Sequence, residues 1–140
     1  VACLAVHPSV PLGVDIDSVA PIETGVAENF FSPQELNELR QYEPDAWLPA
    51  FYRCWTRKEA VVKALGDGLS FPLDKFSVSL SRRDAQMVWL DSLHGSAKDW
   101  RLMHFQINTN IVGAIAFRSS RHIDVQVVQA QTDLIVNFAT

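Results

Sequence analysis

The chain has 140 residues, 48% of them hydrophobic and 20% charged, with a net charge of −4. That length suits one domain with a single core, and the mixture is too apolar for a disordered chain. The longest apolar runs, such as IVGAIAF from Ile111 to Phe117, fall far short of a bilayer span, and no arginine-rich run or aromatic stripe points to nucleic acid.

In chain order, VACLAV (Val1 to Val6) reads as a buried strand, HPSVP as a turn and LGVDIDSV (Leu12 to Val19) as a second, alternating strand. The abrupt strand-like start suggests that further sequence lies upstream. ETGVAENFF predicts a short helix. SPQELNELR predicts another, with Ser32 as N-cap, Pro33 at the first helical position and Glu35 completing a capping box, a structural rather than catalytic reading of Glu35.

The main helix is predicted over Ala46 to Leu65, with Pro49 confining its regular part to the residues after it. Gly66 is the expected left-handed terminator, and GDG turns the chain. After LSFPLD the period changes. FSVSL, MVWL, RLMHFQI and IVGAIAF read as four strands of an antiparallel meander, with DVQVV as a candidate fifth, while the tail TDLIVNFAT is ambiguous. Helices early and strands late predict a single α+β domain over 1–140, an antiparallel sheet of about five strands packed against a long helix and shorter helices.

The charge is unevenly spread. Before Ala46 stand eight carboxylates and one cation, Arg40; from Ala46 to Leu65 stand Arg53, Arg57, Lys58 and Lys63 against Glu59. An acidic front beside a basic helix suits a cation bridging to a phosphate or an acidic partner. Cys3 and Cys54 sit in apolar surroundings without a CxxC partner and read as core thiols of a reducing, cytoplasmic compartment. The four histidines lack ligand spacing.

On a helical wheel, Val61, Cys54, Leu65, Phe51, Val62, Trp55, Leu48 and Tyr52 form an apolar arc. Lys58 falls near its centre, Glu59 between Leu48 and Tyr52, and Lys63 at its edge, with Arg53 and Arg57 projecting to the opposite, solvent side. Charges on a buried face are costly unless paired or bound to an ion. One reading is a Glu59–Lys63 surface pair with Lys58 reaching out to water. The other is a site. In GVDID, Asp15 and Asp17 share one face of a strand. With Glu59 they make three hard oxygen ligands from two elements, suited to Mg²⁺ with open positions for water and phosphates.

GVDID, then FFSPQE, then WTRKEAVVKALGDGLSFPLDKFSV resembles the phosphopantetheinyl transferases in order and separation, over roughly Leu12 to Leu80. CWTRKEA and GLSFPLD are similar to the larger, surfactin-type members. The resemblance implies one half of a pseudo-two-fold fold and transfer of the phosphopantetheine arm of coenzyme A to a serine of an acyl or peptidyl carrier protein. It also implies Mg²⁺ held by Asp15, Asp17 and Glu59, Glu59 as base toward the serine, Lys63 against the leaving phosphate and Lys58 on a phosphate nearby. Arg53, Arg57 and the helix after Ser32 are candidate contacts for an acidic carrier. The carrier's pathway, whether polyketide, nonribosomal peptide or fatty acid, is not legible. Asp17 stands where the larger members commonly have glutamate, one methylene longer. Those members have two similar halves, of which only the second is matched; their His-Ser segment is expected just upstream of Val1. A fragment, or a chain that pairs with copies of itself, is therefore expected. Two rivals remain: a non-catalytic half-domain that docks a carrier protein, and an aspartate-nucleophile phosphatase with Asp15 as nucleophile and Asp17 as acid.

Overall fold

The computed structural model describes residues 1–66, 70–91 and 94–128. Leu12–Ser18 forms strand β1, Val26–Phe30, Pro33–Leu39 and Pro44–Leu65 form helices α1, α2 and α3, and Phe76–Val78, Met87–Leu90, Trp100–Asn108 and Ile111–Arg118 form β2 to β5. The α+β class and antiparallel pairing are as the pattern predicts, but the four later strands do not form one meander, because β5 pairs with β1 as well as with β4 while β2 and β3 pair only with each other. The strands divide between a three-stranded sheet, ordered β1-β5-β4, and a two-stranded ribbon of β2 and β3. The register sets Asp15 opposite Ala114 and Ala114 opposite His104.

Residues 1–6 are not the expected strand. Val1, Leu4 and Val6 are 79–89% exposed. Strand composition cannot substitute for a hydrogen-bonded neighbour, and among the described residues this segment has none. Cys3 is accordingly exposed, not a core thiol, whereas Cys54 is fully buried. DVQVV forms no strand either. The tail from 129 onward and residues 67–69 of the predicted turn lie outside the described residues.

The capping box at α2 is formed: Glu35 N–H donates to Ser32 Oγ at 3.2 Å, and Ser32 N–H donates to Glu35 Oε2 at 2.8 Å. Helix α3 begins two residues earlier than predicted, at Pro44, and runs through Pro49 to a C-cap at Gly66 with φ 76°. Pro49 lies so near the N-terminus that it forfeits only one helical hydrogen bond, to Asp45, and the flanking turns absorb it.

Helix α3 is buried on nearly every side. One flank lies on β1 and β5, where Ala114 and Ala116 are fully buried. Another carries a stack of Phe31 and Trp47 on Phe51, with ring centroids 5.1 and 5.7 Å apart. The third corrects the wheel. Arg53 and Arg57 do not project into solvent: they are 9% and 0% exposed. Arg53 Nε donates to the Leu80 carbonyl at 2.8 Å, and the Arg57 guanidinium donates to the carbonyls of Ser79 and Ser81. The strand-end segment after β2 covers this side, and its unpaired carbonyls need donors. Among the described residues no helix is long and apolar enough to cross a membrane.

Candidate active site

Strand β1 and helix α3 run antiparallel and unusually close. At one end the Tyr52 hydroxyl donates to the Ala20 carbonyl at 2.9 Å. At the other, a Cβ on Gly13 would lie 2.0 Å from the Ala60 carbonyl oxygen and 2.5 Å from Ala64 N. Only glycine permits that approach. Asp15 and Asp17, alternating with Gly13 along the strand, therefore face the same helix.

The approach brings the acids and a lysine together. Lys63 Nζ donates to Asp15 Oδ1 at 2.7 Å, with the lysine half exposed and the aspartate largely covered. Glu59, one turn before Lys63, is half-buried and makes no ion pair among the described residues. Burial raises its pKa, the Asp15 charge raises it further, Lys63 opposes, and Asp17 adds a smaller upward push. Burial also raises the Asp15 carboxyl, against the hydrogen bond and charge of Lys63, and Asp17 again adds to the rise. The three acids thus feel one another across a single patch. Asp17 accepts a hydrogen bond from Ser18 N–H at 2.7 Å.

The patch is open rather than a closed cage. Among the described residues, no group of three or more His, Cys, Asp or Glu side chains stands close enough together to hold a metal ion as it is. Lys63 is the cation paired with Asp15. This still suits Mg²⁺, which typically takes one or two carboxylates and completes its shell with water and phosphate oxygens. The donor set is chemically right: hard carboxylates, mutually repelling, and partly withdrawn from solvent.

Lys58 does not belong to this patch, and its predicted phosphate contact is corrected. Its ammonium is fully buried and donates to both Glu35 oxygens at 2.8 Å and to the Phe76 carbonyl at 2.7 Å, while lying 4.0 Å from the Phe76 ring centroid. Glu35 Oε1 also accepts from Val78 N–H at 2.8 Å. Every ammonium proton therefore has an acceptor inside the protein. The cap of α2 is at once the counter-ion of α3, a role the local capping pattern could not reveal. Gly13 was likewise missed, although a glycine inside an alternating strand is itself a signal of close approach.

Residues 11–125 match the 4'-phosphopantetheinyl transferase superfamily, and the chain belongs to that family. It is 43% identical over 84 residues to the 4'-phosphopantetheinyl transferase ffp of Bacillus subtilis, an alignment covering 60% of this chain and 38% of that protein. The 4'-phosphopantetheinyl transferase Sfp of Bacillus subtilis is 38% identical over 86 residues, covering 61% and 38%. The human L-aminoadipate-semialdehyde dehydrogenase-phosphopantetheinyl transferase is 32% identical over 142 aligned positions, covering 89% and 46%. The chain thus spans less than half the length of these relatives. Among solved structures, the holo-[acyl-carrier-protein] synthase of Thermotoga maritima has a TM-score of 0.59 at 18% identity, covering 80% of this chain and 65% of that one. The Chronobacterium ammoniagenes ACPS-CoA complex has a TM-score of 0.58 at 14% identity, covering 81% and 100%. At such identities the likeness is one of fold.

Proposed function

We propose that the chain is one half of an enzyme that moves the phosphopantetheine arm of coenzyme A to a serine of an acyl or peptidyl carrier protein, in the cytoplasm. The observation that carries this reading is the meeting of Asp15 and Asp17 from β1 with Glu59 and Lys63 from α3, in a member of this family.

Asp15, Asp17 and Glu59 would hold Mg²⁺, which when bound offsets the charge of the coenzyme A diphosphate. Glu59 accepts the proton of the carrier serine; its raised pKa brings it nearer to the working pH of a general base. The serine oxygen then bonds to the β-phosphorus as the bond to the bridging oxygen breaks, releasing adenosine 3',5'-bisphosphate. Lys63, half exposed on a flexible stem, swings from Asp15 to the phosphate oxygen that gains charge. Positioning and charge neutralisation supply the rate, with no covalent enzyme intermediate.

Lys58 has no part in this scheme, and the buried Arg53 and Arg57 are not carrier-docking contacts. The sheet face turned away from α3 carries the half-buried Val14, Ile16, Met103 and Phe105, a surface suited to a companion half or a second copy of the chain. The test is mass spectrometry of a carrier protein after incubation with coenzyme A and Mg²⁺, using the chain alone and fused behind the first half of one of its longer relatives. Mass gain with the wild type and none with Glu59→Gln supports the reading. No gain from the fused wild type contradicts it and leaves a carrier-docking module.

A further inference from the structure

Away from the acid patch, α3 and the β4 edge of the sheet enclose a groove of about 620 Å³, far larger than a few waters need. Its polar walls are Tyr42, Arg53, Arg82, His104, Gln106 and Thr109, and among the described residues no carboxylate lines it. Arg53 is nine-tenths buried, held by its Nε on Leu80 and by its guanidinium 5.7 Å from the Tyr42 ring centroid. Neither terminal nitrogen of Arg53 makes a hydrogen bond among the described residues, and none of Arg53, Arg57 and Arg82 has a carboxylate within ion-pair distance there. His104 Nδ1 is buried with no hydrogen-bond partner among the described residues. The remaining walls include Val19, Pro49 and Val112.

Arg53, buried, and Arg82, exposed at the rim, give this groove two guanidiniums and no lining carboxylate among the described residues, in a chain of net charge −4. A structural role accounts for Arg57, whose guanidinium is spent on Ser79 and Ser81, but not for the groove-facing ends of Arg53 and Arg82. Guanidinium forks match the planar or tetrahedral oxygens of carboxylates and phosphates, and the apolar walls exceed what a bare ion would cover.

We propose that this groove binds a small amphipathic oxyanion, its carboxylate or phosphate head between Arg53 and Arg82 and its hydrocarbon part along Val19, Pro49 and Val112. The site is independent of the transfer reaction proposed above and is tested without coenzyme A, Mg²⁺ or carrier protein.

The experiment is an NMR titration of the chain with hexanoate and with inorganic phosphate, each against chloride at equal ionic strength. Saturable shifts of the His104 ring with either anion, and of the Val19 and Val112 methyls with hexanoate, are expected. Hexanoate should bind more tightly than phosphate. Arg82→Ala, an exposed position whose loss leaves the fold intact, should weaken both about tenfold, as for loss of one charge-assisted hydrogen bond. Shifts no larger than those of chloride, hexanoate no tighter than phosphate, or affinity unchanged in Arg82→Ala would each overturn the proposal.

Discussion

Lys63 Nζ lies 2.7 Å from Asp15 Oδ1, joining two residues 48 positions apart in the chain. The contact exists because Gly13 lets β1 rest directly on the backbone of α3. In the proposed reaction this ammonium would leave the carboxylate for a phosphate oxygen as a divalent ion binds.

Gly13→Ala tests the geometric basis. A methyl group would meet backbone atoms at 2.0 and 2.5 Å, which cannot rotate aside. The strand must lift from the helix, at a cost of about 1–3 kcal/mol. Urea denaturation should report that loss, together with a weakened Asp15–Lys63 contact. Unchanged stability would show that β1 does not depend on this approach.

Glu59→Gln separates activity from stability. The Glu59 pKa is raised above its ordinary 4.5, first by burial and then by Asp15. A carboxylate with a raised folded pKa favours the folded state fully below its unfolded pKa and loses that contribution as pH rises through the folded value. At neutral pH the charged Glu59 is therefore a burden. Glu59→Gln should leave thermal stability at pH 7 equal or improved while abolishing carrier loading. A loss of more than about 1 kcal/mol would assign Glu59 a structural role instead.

The Lys58–Glu35 pair should behave in the opposite way. Lys58→Met leaves a buried, uncompensated carboxylate and should cost about 3–5 kcal/mol. Adding Glu35→Gln removes the stranded charge and keeps one acceptor oxygen, enough for the Ser32 N–H or the Val78 N–H but not both, so the double variant should recover only part of the loss. Chemical denaturation of the four proteins measures the coupling. Additive effects would mean the pair is not the tie between α2 and α3.

His104 provides a pH signature. Burial, then Arg57 and Arg53, lower its pKa to about 4. The unfolded chain binds the proton near pH 6.5 and the folded chain only near 4, so stability falls as pH drops through that window and flattens below it. The imidazole proton resonances of the folded chain should titrate near pH 4. A midpoint near 6.5 would mean that the ring is solvated and apart from the arginines.

The sequence made some of this plain and hid the rest for physical reasons. Local signals were readable: the Ser32–Glu35 box, the Gly66 terminator and the shift of period that yields β2 to β5. The acid patch was readable because Asp15 and Asp17 alternate on one strand and Glu59 and Lys63 are one helical turn apart. What failed depended on distant neighbours. A wheel assigns one inner face, yet α3 is wrapped on several sides, so Arg53 and Arg57 bond a segment more than twenty residues away. Lys58 was rightly placed inside, but its partner was Glu35, 23 residues upstream, rather than a ligand. Residues 1–6 have strand composition without a paired strand among the described residues.

The most direct measurement is paramagnetic line broadening by Mn²⁺, a probe that substitutes for Mg²⁺ at carboxylate sites. Amide signals around Asp15, Asp17, Glu59 and Lys63 should broaden first, at low Mn²⁺, be restored by excess Mg²⁺, and resist broadening in a chain carrying both Asp15→Asn and Glu59→Gln. Broadening that begins at other carboxylates, or that persists unchanged in the double variant, would contradict the assignment of β1 and α3 as the metal-bearing pair.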